Sequence, residues 1–252
     1  MRGILELNYR KKNIFLAREM WKGNPNFHAL SEEKRKSIRL LMGHQGFGLH
    51  KHIGNRSFEY FTLLREPVDR IISLYYHILR FPDHHFAKEM AEKKYTLKEL
   101  IDQKVSLPFD NCQVRMLSGQ MQVPFGELNE THLELAIKNL EMYFPLAGLQ
   151  NRFDEFVLLL SDRYGWKLPY YRRLKVSGNR VKKNELDAAT IEAIRSCNQL
   201  DEKLIAHVST RFEAQLTGLG EPFAKRVKRY RRINSIFAKT MNAIPFFKKP
   251  EE

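Results

Sequence analysis

Cysteine is scarce in this chain. Cys112 and Cys197 are the only two among 252 residues, and neither stands in a CxxC pair or at ligand spacing from other metal-binding side chains. That excludes a disulfide-stapled scaffold and a zinc ribbon, and both are expected as reduced thiols. Long apolar runs are missing too: nothing reaches the stretch of about 18 residues that marks a membrane-crossing helix. No signal-like apolar segment opens the chain, because Arg10-Lys11-Lys12 interrupts it early. These absences set the expectation of a cytoplasmic protein, in which the sequons at Asn55 and Asn129 are chance matches. Negative charge is short as well. There are 29 Asp and Glu against 43 Lys and Arg, a net charge of +14, and residues 222–250 hold nine cations and no anion.

What is present is enough for a packed core: 43% of the residues are hydrophobic and 12% aromatic. The length suits one α/β domain with elaborations. The expected division is an α/β domain over 1–221 and a basic C-terminal tail over 222–252. The charge calls for anionic partners. Anionic nucleotides and sulfated or uronic sugars qualify; nucleic acid and acidic lipid stay open on charge alone. In the tail, Phe223, Val227, Tyr230, Ile233, Ile236 and Phe237 alternate with cations at near-helical spacing. Such a pattern has two readings, an interfacial helix on an anionic membrane or a terminal helix docked on the body.

Residues 61–77 are the most informative stretch: Phe-Thr-Leu-Leu-Arg-Glu-Pro-Val-Asp-Arg-Ile-Ile-Ser-Leu-Tyr-Tyr-His. The apolar run Phe58–Leu64 predicts a mostly buried strand. Pro67 suits the first turn of a helix. Val68, Ile71, Ile72, Tyr75 and Leu79 recur at helical spacing toward a core, with Arg70, Ser73 and His77 on a polar face. Arg65 at the strand end and Ser73 on the helix then lie near the crevice where open α/β sheets bind ligands. A guanidinium fork with a hydroxyl near a helix N-terminus is a phosphate-binding arrangement.

Elsewhere the patterns predict a helix ending near Tyr9, strands at Asn13–Leu16, Ile38–Met42 and Leu146–Leu149, and a Ser31-capped helix through Arg35. Further helices are expected at Thr96–Gln103, after a capping box at Thr131–Glu134, at Asp154–Tyr164 before Gly165, and within Ala188–Phe212.

The 61–77 run resembles the 3′-phosphate signature of sulfotransferases that use PAPS (3′-phosphoadenosine 5′-phosphosulfate), in particular the carbohydrate group related to heparan sulfate 2-O-sulfotransferases. Arg65 and Ser73, eight residues apart, match both signature positions. Four further segments resemble the family in order: Leu41–His50 with its Gly43-His44, Asn111–Gly119, Phe144–Phe153 and Lys175–Arg180. The resemblance spans about residues 3–216. It implies an α/β fold of sulfotransferase, P-loop-like type, with a parallel sheet flanked by helices. It implies sulfuryl transfer from PAPS to a hydroxyl, with an anionic carbohydrate as the expected acceptor and no metal. Nucleic acid is not an expected partner, and a peripheral contact of the tail with anionic membrane is the remaining one.

By the same resemblance His44, just past a strand, is the candidate general base, since a neutral imidazole suits proton abstraction. His50 and His52 are the alternatives. Arg65 and Ser73 hold the 3′-phosphate, with Arg180 and Ser177 closing over that side. Acceptor recognition is expected in residues 82–110 and around Arg115, which serves either an acidic acceptor or its own helix. One departure stands out. The family's 5′-phosphosulfate loop, a strand followed by Gly, Lys and Ser/Thr, has no counterpart here; Gly43–Gly48 lacks the Lys-Ser/Thr. The chain reads as lacking that first strand and loop, with Met1 expected to be a misassigned start. Two rivals to the enzyme are a P-loop kinase and a catalytically inactive, truncated relative that binds anionic partners.

Overall fold

The computed structural model describes residues 1–17, 27, 29–43, 45–82, 84, 86–172 and 183–243. Helix α1 (Arg2–Asn8) buries Ile4 and Leu5. Strand β1 (Ile14–Ala17) lies parallel to β2 (Leu40–Gly43), Ile14 opposite Leu40 and Ala17 opposite Gly43. Between them runs α2 (Glu32–Ser37), where the Ser31 hydroxyl accepts the Lys34 amide as the cap the sequence predicts. Strand β2 starts two residues later than predicted because Ile38 is already committed. Its amide closes the helix on the Arg35 carbonyl, and its own carbonyl accepts the Arg56 guanidinium.

Strand β3 is Phe61–Leu64, shorter than the run from Phe58. Tyr60 gives its amide to the Tyr143 carbonyl, and Phe58 stacks on His50 at 4.6 Å, so the first part of the run packs as an aromatic cluster. Helix α3 (Pro67–Arg80) begins at Pro67 with Glu66 as cap, its carboxylate accepting the Asp69 amide at 2.7 Å. Val68, Ile71 and Ile72 are buried as the spacing requires. The next core residue is Ile78, two turns after Ile71, while Leu79 turns outward and is half exposed. Two short helices follow, α4 (Ala87–Lys93) and α5 (Leu97–Asp102), the latter with a Thr96–Glu99 capping box.

Helix α6 (Cys112–Ser118) leads to α7 (Glu130–Tyr143). The cap of α7 is Asn129, not Thr131: Asn129 Oδ1 accepts the Thr131 amide, and His132 Nδ1 accepts the Asn129 amide. Leu128 before the cap and Leu133 in the first turn sit buried in one cluster, a hydrophobic staple that fixes this start. Strand β4 (Leu146–Leu149) is buried along its length and lies parallel to β3, Phe61 opposite Leu146. Helix α8 (Phe153–Tyr164) ends at Gly165 in the left-handed region. Then come α9 (Ala188–Ser196) and the 45-residue α10 (Gln199–Ala243), broken at Gly220, where φ is 62° and ψ is −162°.

The parallel sheet expected from sequence, with its first strand lacking, takes the form among the described residues of two parallel ladders, β1–β2 and β3–β4. They share a core: Leu40 of one and Leu146 of the other pack with Phe156, Leu160, Phe212 and Leu216. Phe223, Val227 and Tyr230 belong to that same cluster. Tyr230 donates its hydroxyl to the Pro169 carbonyl at 2.6 Å, and Arg226 forks onto Asp162 at 2.6 and 2.7 Å. Phe223, Val227 and Tyr230 therefore face protein, while Ile233 and Ile236 of the same apolar set are exposed. Among the described residues no helix is long and apolar enough to cross a membrane.

Docking of this helix sets an expected outcome. Phe223→Ala should lower stability in chemical denaturation by about 3–5 kcal/mol, the usual cost of emptying a buried phenylalanine site. An unchanged midpoint would mean that the segment beyond Gly220 is not part of the fold.

Candidate functional site

Strand pairing between β3 and β4 ends at Leu64, and Arg65 is the next residue. Its backbone finds partners in a side chain. The Arg65 amide donates to Gln113 Oε1, and Gln113 Nε2 donates to the Arg65 carbonyl, both at 2.9 Å. A carboxamide imitates one more strand residue here and fixes where the Arg65 side chain leaves the sheet. Ser73 lies two turns along α3. It is half-buried, and its hydroxyl makes no hydrogen bond among the described residues. Glu66, Arg70 and Ser73 follow one another at helical spacing on one face of α3. Lys183 reaches this face, its ammonium 2.8 Å from the Glu66 carboxylate; Asp69 is a second carboxylate in the first turn.

Gln113 is placed by a reciprocal exchange of caps between α6 and α10. Asp201 on α10 accepts the amides of Gln113 at 3.2 Å and Val114 at 2.8 Å, and also Gln113 Nε2 at 3.3 Å. Asn111, just before α6, returns the favour: its Oδ1 accepts the amides of Leu200 at 2.9 Å and Asp201 at 3.0 Å. Asn198 completes the joint by accepting the Asn111 amide and donating to the Phe109 and Ile194 carbonyls. Arg70 of α3 donates to the Pro108 carbonyl at 2.7 Å and stands 3.9 Å from Asp201. Burial pushes the Asp201 carboxyl above the usual carboxylate range, while Arg70 and the donated amides pull the other way.

For Arg115 the structure favours the second of the two roles the sequence left open. It is 0% exposed, pairs with Asp110 at 2.6 Å and donates to the Val123 carbonyl, so it buttresses α6 and meets no acceptor.

The other end of α6 holds the turn after β2. Phe47 donates its amide to the Met116 carbonyl at 2.7 Å. Gly119 ends the helix with φ at 78°, and a Cβ there would stand 2.8 Å from the Phe47 carbonyl oxygen. Gly43 is also required: a Cβ would meet the Ala17 carbonyl oxygen at 2.1 Å. One seven-residue helix thus touches both the strand end that carries Arg65 and the turn that follows residue 44. His44, Ser177 and Arg180 themselves lie outside the described residues.

Beside that turn is a cleft of about 390 Å³, with Gln45, Phe47, Lys51, His52, Gly119 and Gln122 among its lining. His50 does not line it. Its ring stacks on Phe58 and Tyr143, and its Nδ1 is 2.9 Å from the Tyr60 hydroxyl. Burial, with Lys51 and His52 beside it, holds its pKa below the ordinary histidine value. A recess of about 470 Å³ between α7 and α10 lies among Glu141, His207 and Arg211. Its Arg211 caps the C-terminus of α7 by donating to the Phe144 carbonyl, which is structural work. Gln113, Asp201, Asn111 and Asn198 were not singled out from the sequence. The only signal was that residues 111 and 113 fall inside a segment that resembles the family.

The profile of a protein family described as galactose-3-O-sulfotransferase matches residues 28–241. The chain is 27% identical over 194 residues to the heparin sulfate O-sulfotransferase of Drosophila melanogaster, covering 68% of this chain and 53% of that protein. It is 26% identical over 186 residues to human heparan-sulfate 6-O-sulfotransferase 1, covering 63% of this chain and 44% of that protein. The chain spans about half the length of the curated relatives it matches.

Removing the Asp201 carboxylate leaves two helix amides and Arg70 without their acceptor. Asp201→Ala is expected to cost about 3–5 kcal/mol, the range for breaking one side of a buried charged pair. Asp201→Asn keeps an acceptor oxygen and should cost clearly less. Equal losses of under 1 kcal/mol in both variants, read by urea denaturation, would contradict the shared-cap arrangement.

Proposed function

The chain belongs to the galactose-3-O-sulfotransferase family, and from that premise we propose that it transfers a sulfuryl group from PAPS to a hydroxyl of an anionic carbohydrate. The observation that carries the reading is the turn from β3 to α3. There Gln113 fixes the backbone of Arg65, and two turns on stands the Ser73 hydroxyl with no hydrogen-bond partner among the described residues. A guanidinium, an available hydroxyl and a helix start whose capping Glu66 is paired with Lys183 fit a phosphate monoester. Arg65 and Ser73 would hold the 3′-phosphate. Arg180 and Ser177 would close over that side of the nucleotide, and Lys183, a few residues further along the chain, contacts Glu66.

PAPS supplies the sulfuryl group and departs as the 3′,5′-bisphosphate. The chain's residues do the rest. The acceptor sugar enters by the cleft along Gln45–His52, where Lys51 and His52 meet its anionic groups. His44, between Gly43 and Gln45, takes the proton from the attacking hydroxyl. Holding the acceptor oxygen in line with the 3′-anchored nucleotide is the larger contribution, because transfer of this kind gains most from positioning and from charge stabilisation. The two relatives are named for heparin sulfate and heparan sulfate, which supports a sulfated or uronate-bearing acceptor here. The inactive-relative reading shares the same phosphate site and differs only in turnover.

Two measurements test this. In the folded protein, Arg65→Ala should weaken binding of adenosine 3′,5′-bisphosphate by about 2–4 kcal/mol by calorimetry, as expected for one lost partner of a buried charged contact. In a preparation that turns over, His44→Ala should lower the rate by roughly 10²–10⁴-fold with little change in that affinity. Unchanged affinity in the first variant removes the phosphate assignment, and near-normal turnover in the second removes the base.

A further inference from the structure

The C-terminal half of α10 presents two different sets of cations. Those next to the inner face are paired: Arg226 with Asp162, and Arg231 with Asp154 and Glu155. Those opposite, Lys225 apart, are not. At 100° per residue, with Phe223, Val227, Tyr230 and Asn234 marking the buried side, Lys225, Lys228, Arg229, Arg232 and Lys239 all fall on the reverse side. All five are exposed. Lys225 has Glu221 at 3.0 Å. Lys228, Arg229, Arg232 and Lys239 have neither an ion pair nor a side-chain hydrogen bond among the described residues. No acidic residue occurs from 222 to 250 to interrupt the stripe. From Lys225 to Lys239 it runs about 21 Å along the axis at 1.5 Å per residue. The helix is held at a fixed attitude by its packed face, by the Tyr230–Pro169 hydrogen bond and by Asn234, whose Oδ1 accepts the Tyr171 amide at 2.8 Å.

We infer that this outer face is a track for a linear sulfated or uronate-bearing polysaccharide, separate from the reaction cleft; the identity of the polymer rests on the sulfotransferase reading. A straight row of cations on a rigid helix matches the repeating negative charges of an extended polymer better than a single small anion. Lipid fits poorly. The helix has committed Phe223, Val227 and Tyr230 to the core, and only Ile236, with Ile233 at the stripe's edge, offers apolar area there. A single-stranded nucleic acid would want aromatic faces to stack on, and the stripe has none; Phe237, next to it, packs on Tyr170 at 5.6 Å. No residue of the stripe lines the cleft at 45–52. A polymer held on the track would be tethered while its sugars are presented to the cleft, so occupancy there raises the local concentration of acceptor.

The test uses the full chain, a heparin octasaccharide as probe, and a variant with Lys228, Arg229, Arg232 and Lys239 all changed to Ser. Octasaccharide affinity at physiological salt should fall at least tenfold. The slope of log affinity against log salt should shrink by roughly two to four, because each lost cation–anion contact removes about one released counterion. Thermal midpoint and adenosine 3′,5′-bisphosphate affinity should stay as in the parent. A charge-matched variant with Lys11, Lys12, Lys88 and Lys94 changed to Gln should keep its octasaccharide binding. An unchanged salt slope in the stripe variant, or an equal loss in the charge-matched one, overturns the track. So does tighter binding of phosphatidylserine vesicles or of a single-stranded oligonucleotide through the same four residues. Octasaccharide binding through the stripe by a parent chain that binds no bisphosphate supports the track while removing the transfer reading.

Discussion

Two helix starts in this protein are capped by each other. Asp201 of α10 accepts the first amides of α6, and Asn111 before α6 accepts the first amides of α10. Helix starts leave amides that need acceptors, and a buried one without them is costly. Here neither helix can satisfy its start alone, so the two must meet in one register. The carboxylate carries a penalty for burial, visible in its raised pKa, and tolerates it because three N–H groups and Arg70 converge on it. Asp110 with Arg115 stiffens the same corner, and Asn198 ties it to α9.

Everything proposed for function hangs from that joint through one short helix. The start of α6 reaches the Arg65 backbone through Gln113, and its end receives the Phe47 amide and leaves through Gly119. Because α6 has only seven residues, its ends are about 10 Å apart at 1.5 Å per residue. The strand end that would hold phosphate and the turn that would hold the base are therefore set relative to each other by one rigid spacer. Rigidity matters for a reaction governed by alignment, in which misplacement by about 1 Å can cost 10²-fold.

How much of this was legible depended on range. The β3 turn and α3 read correctly from sequence because their determinants are local: Pro67 at the first helical position, Glu66 as cap, and Val68, Ile71 and Ile72 at core spacing. Gly165 as a helix stop is equally local. The α7 start misled because Asn129 and Thr131 both make caps, and the choice fell to a staple between Leu128 and Leu133. The role of Arg115, an acidic acceptor or its own helix, stayed open in the sequence because its partners, Asp110 and the Val123 carbonyl, lie on either side of the helix and meet only once it folds. Gln113 and Asp201 are 88 residues apart, so no local pattern reports their contact. The basic tail carried an apolar period that serves lipid or protein alike, and the docking of Phe223, Val227 and Tyr230 depends on a core built from residues far away in sequence. A parallel sheet lacking its first strand was expected, and among the described residues the strands form two parallel ladders whose pairing is set by partners distant in sequence.

The central claim is that Gln113 acts on nucleotide binding through Arg65. A double-mutant cycle measures it directly, with calorimetry of adenosine 3′,5′-bisphosphate on the parent chain, Gln113→Ala, Arg65→Ala and the double variant. If the carboxamide works by aiming the guanidinium, Gln113→Ala weakens binding in the parent and has almost no further effect once Arg65 is Ala. Two losses that simply add, or a Gln113→Ala protein that folds normally and binds like the parent, would contradict the account.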